Sequence, residues 1–188
     1  MSERPTSAQI AAARGRTIRD VVGPGMRVLL VGINPSLYSA AAGHHFARPG
    51  NRFWKALDAS GFTERLLSPD EDATLAERGL GLTNLVARAT ASAAELNADE
   101  LRRGARRLER LVRKHEPAFV AFLGIGAYRT AFGRPGASVG PQPDRIGTAG
   151  VWLLPNPSGL NAHHQLPELT AAFRRLCLAA RVPSITSR

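Results

Sequence analysis

Two tetrapeptides hold the residues best placed for chemistry: Ile33-Asn34-Pro35-Ser36 and Pro155-Asn156-Pro157-Ser158. Each ends an apolar run, the first over residues 26–33 and the second over 151–155. A polar Asn directly after a buried strand, and before a Pro, falls at the strand's carboxyl end. In parallel α/β sheets that end is where ligands bind. One Asn-Pro is ordinary turn punctuation. Two copies after two core strands predict that both loops open on one rim. An amide is no strong base, but its oxygen can hold a water and its nitrogen can donate. That suits a largely dissociative bond cleavage, in which water must be positioned rather than fully activated.

Other candidate groups are weaker. Gly124-Ile125-Gly126 follows a strand and opens a helix, as a dinucleotide turn would, but Arg129 stands where the third glycine belongs. A tight strand-to-helix turn is the preferred reading. The histidines pair as His44-His45 and His163-His164. Adjacent residues rarely share one ion and no carboxylate pattern accompanies them, so no metal and no cofactor are expected. The single cysteine, Cys177, excludes an internal disulfide framework and any all-Cys zinc or iron–sulfur site. Lysine is confined to Lys55 and Lys114, which leaves little material for Schiff-base chemistry.

The elements that must position these groups follow from patterning. Residues 26–33, 79–86, 118–124 and 151–155 read as strands, with Arg145-Ile146 as a pairing partner for the last. The core strands are apolar on both faces and alternate with helices, which predicts an α/β three-layer sandwich. Its centre is a mostly parallel sheet of four to five strands, with helices on both faces. Residues 34–51 and 134–143 read as loops rich in Gly and Pro. A helix is predicted over 97–115, opened by the capping box Asn97-Ala98-Asp99-Glu100. Its inward face carries Leu101, Ala105, Leu108, Leu111 and Val112. Its outer face carries Arg102, Arg103, Arg106, Arg107, Arg110 and Arg113, a row that suits either a DNA backbone or solvent, with solvent preferred. Further helices are predicted from Arg52, near 69–78, over 127–132 and over 167–181. Residues 1–23 read as an extension, mobile in its first half and helical in its second. One domain spans 24–182, and 183–188 is a tail.

With 25 Lys+Arg against 15 Asp+Glu, the net charge of +10 favours a polyanionic partner, nucleic acid first. No apolar run reaches membrane-spanning length, and the N-terminus is a poor signal peptide. The chain is expected to act without membrane contact, as a monomer, in the cytoplasm.

The ordered motifs Gly32-Ile33-Asn34-Pro35, Gly43-His44-His45-Phe46, Pro49-Gly50-Asn51-Arg52-Phe53-Trp54-Lys55, Gly81-Leu82-Thr83-Asn84-Leu85-Val86 and Asn156-Pro157-Ser158-Gly159-Leu160 resemble the mismatch-specific uracil-DNA glycosylase / thymine-DNA glycosylase family. The resemblance runs from about Gly25 to Ala180. It implies the uracil-glycosylase fold and a base-excision repair activity at the bacterial nucleoid. Uracil in double-stranded DNA, in G:U mismatches or a related lesion, would be flipped out and its N-glycosidic bond hydrolysed to leave an abasic site. It implies that Asn34 positions the attacking water. Ile33, Ser39, Phe46, Asn84 and Asn156 would meet the substrate, with Phe46 stacking on the flipped pyrimidine. Ser158, Gly159, Leu160 and Asn161 would meet the DNA, with Leu160 as the wedge that fills the vacated stack. Such stacking is worth roughly 1–3 kcal/mol, and an inserted apolar side chain offsets part of the unstacking cost.

Some positions depart from the family pattern. Asn161-Ala162-His163 stands where one branch has Ser-Arg, Asn84 where some members have Lys, and Ser36 where Gly is common. The last is tolerable only if the backbone there needs no positive φ. Without lysine support, strand cleavage is not expected, so the enzyme would be monofunctional. A non-catalytic basic DNA-binding module, and a nucleotide enzyme using the Gly124 turn, are the readings left beside it.

Overall fold

A computed structural model describes residues 4–160 and 164–180. Five strands form one sheet: β1 Val28–Gly32, β2 Leu80–Asn84, β3 Phe119–Leu123, β4 Gly140–Ile146 and β5 Ala149–Leu154, in the order β2-β1-β3-β5-β4. β1, β2, β3 and β5 run parallel, and β4 closes one edge antiparallel to β5. Registers Gly32↔Asn84 and Leu123↔Leu154 align the carboxyl ends into one rim.

Alternate residues feed opposite faces, which is why these strands read as continuous apolar runs. Val28, Leu30, Leu82, Leu123 and Leu154 pack beneath α3 (Phe53–Ala59) and α6 (Leu166–Ala179). Leu29, Val31, Val120, Phe122 and Leu153 pack beneath α4 (Ala98–His115) and α5 (Ile125–Phe132). A fully buried Leu, Ile or Phe side chain contributes about 1.5–3 kcal/mol, so the two clusters hold the sheet and hence the rim. Asn97 caps α4 as its capping box predicts, and Leu101, Ala105, Leu108 and Val112 face inward. Gly104 joins them because a Cβ there would lie 2.2 Å from the Leu85 carbonyl oxygen.

Several local expectations are corrected. Residues 34–51 are not all loop: α2, Leu37–Ala42, lies inside, capped by the Ser36 side chain and stopped by Gly43 at φ 79°. So short a helix has no periodicity to announce it. β4 begins at Gly140, inside the stretch 134–143 expected to be loop; its Pro141 and Pro143 are tolerated because it is an edge strand with a register shift. The helical spacing predicts Arg107 on the outer face of α4. It turns inward instead, donating to Asp20 Oδ2 at 3.1 Å and to the Asn84 carbonyl at 2.8 Å. In the N-terminal segment the helix lies in the first half, as α1 (Ser7–Ala11), and the second half is extended. There Val21 exchanges backbone hydrogen bonds with Leu82 at 2.8 and 2.9 Å, covering the β2 edge.

Candidate active site

Asn34 stands just past β1, and its side-chain nitrogen is gripped. It donates to Thr90 Oγ1 at 2.7 Å, to the Arg88 carbonyl at 3.1 Å and to the Pro35 carbonyl at 3.3 Å. Carbonyl oxygens only accept, so the nitrogen, not the oxygen, must face them. The Thr90 hydroxyl donates onward to the Ser92 carbonyl at 2.8 Å, which leaves its oxygen to accept from Asn34. Among the described residues no hydrogen bond engages Asn34 Oδ1. Asn34 lines a cavity of about 510 Å³, within the usual size of a small-molecule site. The arrangement can hold a water on a fixed carbonyl-type oxygen.

The loop that grips Asn34 is itself braced. The Arg88 guanidinium forks onto Glu100, with contacts of 2.5 and 3.0 Å, and holds that carboxyl down to about 2. Glu100 is also the capping-box residue of α4, so a helix terminus and the Asn34 grip share one carboxylate. Thr90 donates its backbone N–H to the Pro35 carbonyl at 3.2 Å. Sequence reading missed Thr90 entirely, since nothing local distinguishes it within Ala89-Thr90-Ala91.

Phe46 and Asn84 converge over the end of β1. A Cβ added at Gly32 would lie 2.6 Å from Asn84 Oδ1 and 3.2 Å from Phe46 Cζ, so glycine is what admits both side chains there. Phe46 adopts a left-handed backbone, φ 53°, and stacks on Phe53 with ring centroids 4.0 Å apart. It both packs on the core and lines the cavity. Asn84 is 6% exposed. Its side-chain amide has no partner among the described residues, and such a group inside a cavity wall is poised for a ligand. Ile33 also lines the cavity and packs on Gly124, whose φ is 145°. The buried Ser39 hydroxyl accepts from the Ala47 N–H at 3.1 Å and contacts Ser36 Oγ at 3.0 Å. Ser36 itself has φ −69°, so the expected glycine is not required.

The histidine pair diverges. His44 Nδ1 lies 3.3 Å from Asp72, whereas His45 Nε2 contacts the Arg19 carbonyl at 3.0 Å and therefore carries the proton. Burial lowers the His45 pKa and keeps the ring neutral. His163 lies outside the described residues. Among those described, no three His, Cys, Asp or Glu side chains are grouped to hold a metal ion.

The second Asn-Pro-Ser reaches the same cavity, through Asn156, Ser158 and Leu160. Asn156 Oδ1 accepts from the Ser158 N–H at 3.0 Å, which shapes the turn. Arg52, which opens a predicted helix and stands in the Pro49–Lys55 motif but has no role assigned from sequence, clasps this loop. It donates to the Ser158 carbonyl at 2.6 Å and to the His164 carbonyl at 2.7 Å. Gly159 passes so close to Gly50 that a Cβ would meet its oxygen at 2.6 Å. Leu160 is left 75% exposed at the cavity mouth. Asn161 lies outside the described residues. The Gly124 turn opens α5 and supplies cavity wall, with Ile125, Gly126 and Ala127.

The model of the family described as the uracil DNA glycosylase superfamily matches residues 20–180. Among solved structures, this chain is similar to an NMR structure of a Methanosarcina acetivorans protein described, provisionally, as a uracil DNA glycosylase. The two are 17% identical, the match covers 86% of this chain and 98% of the other, and the TM-score is 0.55. At that identity the likeness speaks for the fold. Among the described residues no helix is long and apolar enough to cross a membrane.

Proposed function

The chain belongs to the uracil DNA glycosylase superfamily, and on that premise we propose that it excises uracil from double-stranded DNA, G:U mismatches included, as a monofunctional glycosylase. The observation that carries this reading is the Asn34 amide, held by three acceptors on its nitrogen side with its oxygen left to the cavity.

In this reading the extruded nucleotide enters the cavity with its base against Phe46. The Asn84 amide meets the polar edge of the pyrimidine, and Ile33, Ser39 and Asn156 complete the wall. As the C1′–N1 bond breaks, its electron pair leaves with the base. Water held by Asn34 Oδ1 bonds to C1′, and its proton passes to the departing base or to solvent. No strong base is needed, because the sugar carbon is already electron-deficient when water arrives; positioning is what the site supplies. Leu160, an exposed apolar side chain on a clasped loop, fills the gap in the stack. Ser158 and Gly159 lie beside the phosphates in this reading.

The test is a panel of duplexes, each with one modified base, assayed for base release with and without alkali. Wild type should release uracil and leave an alkali-labile site, whereas Asn34→Ala should still bind the duplex but lose release by about a hundredfold or more. Release by Asn34→Ala at near wild-type rate would overturn the assignment. Binding without release from any lesion would favour the non-catalytic module.

A further inference from the structure

The matched family segment begins at residue 20, yet the residues just before it are built into the site. Ala89 is held by both of its backbone groups. Its carbonyl accepts from the Gly15 N–H at 2.9 Å, and its N–H donates to the Arg16 carbonyl at 2.8 Å. Ala89 lies between the two shortest acceptors of the Asn34 amide, the Arg88 carbonyl and the Thr90 hydroxyl. Ala13, fully buried, packs with Ala89 and with Ala40 of α2. Further along, Ile18 lines the cavity and the Arg19 carbonyl takes the His45 N–H. Asp20 then accepts from the Thr83 hydroxyl at 2.5 Å and from Arg107.

We propose that residues 13–20 are a positioning strap for Asn34. By fixing Ala89, they hold the Arg88 carbonyl and the Thr90 hydroxyl where they orient the Asn34 amide, and so aim its water-holding oxygen. The strap touches no reacting atom; it acts through Asn34. This deepens the glycosylase reading and rests on it.

Gly15 offers a clean perturbation in the full-length chain. Its φ is +77° and its N–H makes the Ala89 bond. Gly15→Pro abolishes the donor and cannot adopt that φ. Base release from a uracil duplex under single-turnover conditions should fall about tenfold, while affinity for a lesion-free duplex stays within twofold. In an Asn34→Ala background the same substitution should change release by less than twofold, because the residue it acts through is gone. A merely structural strap would lower release by the same factor in both backgrounds, and that result overturns the proposal. So does release by Gly15→Pro within twofold of wild type. Should Gly15→Pro fail to fold, Ala13→Leu, which forces three heavy atoms between strap and loop, is judged by the same criteria. If the wild-type chain releases no base from any lesion, it is the glycosylase reading that has failed. The strap is then decided by amide hydrogen exchange at Ala89 and Thr90, which speeds up at least tenfold in Gly15→Pro if the strap holds the loop and stays unchanged if it does not.

Discussion

Thr90→Val is the sharpest probe of how Asn34 is aimed. Valine keeps the shape of a side chain that is 1% exposed and leaves the backbone bridge to Ser36 untouched. It deletes the 2.7 Å acceptor for the Asn34 nitrogen and leaves the Arg88 and Pro35 carbonyls at 3.1 and 3.3 Å. A full amide flip is resisted, because it would turn Oδ1 onto those two carbonyls. The hydroxyl's bond to the Ser92 carbonyl goes too and bears on the loop, but the loss at the Asn34 amide is about one neutral hydrogen bond, roughly 0.5–1.5 kcal/mol. At about 1.4 kcal/mol per tenfold this is a two- to twelvefold drop in rate if the bond's whole worth is felt in the transition state. Drift of the amide by a full ångström would set the ceiling, near a hundredfold. The assay is single-turnover uracil release at saturating enzyme, beside duplex affinity, which should not move. Thr90→Ser restores the hydroxyl and should recover release to within about threefold of wild type. Release by Thr90→Val within twofold of wild type would refute the reasoning, as would a Ser variant no better than Val.

Leu160→Ala removes an exposed side chain, so thermal stability should hold while release from duplex substrates falls more than release from single strands; equal losses would remove the wedge role. Gly32→Ala places a methyl 2.6 Å from Asn84 Oδ1 and should weaken lesion binding by displacing the Asn84 amide, measured as a selective loss of affinity for the lesion duplex over plain duplex. His45 is held neutral by burial, so its folded pKa is below the unfolded value of about 6.5. The unfolded chain then takes up the proton first. Stability is full above about pH 6.5 and declines as the pH falls toward the folded pKa, and His45→Gln should flatten that decline in a melting series. The exposed Arg106 and Arg110 are read as a solvated face. The double change to Gln should alter the salt dependence of duplex binding no more than the same change at the exposed Arg174 and Arg175; a specific drop of roughly 2 in slope would instead mark phosphate contacts.

What was legible in the sequence was what is local. The four parallel strands announced themselves because each is buried on both faces, and the paired Asn-Pro-Ser motifs announced a shared rim because strand ends in a parallel sheet align. The capping box of α4 is a contact between residues three apart, and so it too could be read from spacing. Thr90, Arg52 and the strap were invisible for the opposite reason. Asn34 meets Thr90 across 56 residues, and Arg52 meets the carbonyls that flank the Leu160 loop across 106 and 112. These partners act through a hydroxyl and a guanidinium that bond to carbonyls or to one amide, and such bonds carry no residue pattern of their own. Leu37–Ala42 and β4 were missed because each is too short or too punctuated by Pro to show a period.

The same division explains how the site works. In the proposed reading its reactive group is an amide, which has no pKa to tune in the working range, so its power must come from geometry. Geometry of that quality needs a grip from several directions, and the grip on Asn34 draws on three. Pro35 comes from its own loop, Arg88 is anchored through Glu100 to the start of α4, and Thr90 follows Ala89, which is tied to Gly15 and Arg16. No one of these acceptors is unusual alone. Together they leave the amide one orientation, with its oxygen facing the cavity that Phe46 and Asn84 line. A site built this way should tolerate changes in the charge of its surroundings better than changes in their position. Accordingly, the release rate should vary little across neutral pH, since the Asn34 amide does not ionise and burial holds the His45 pKa down. A steep dependence with a midpoint near pH 7 would point to a general base that this arrangement does not contain.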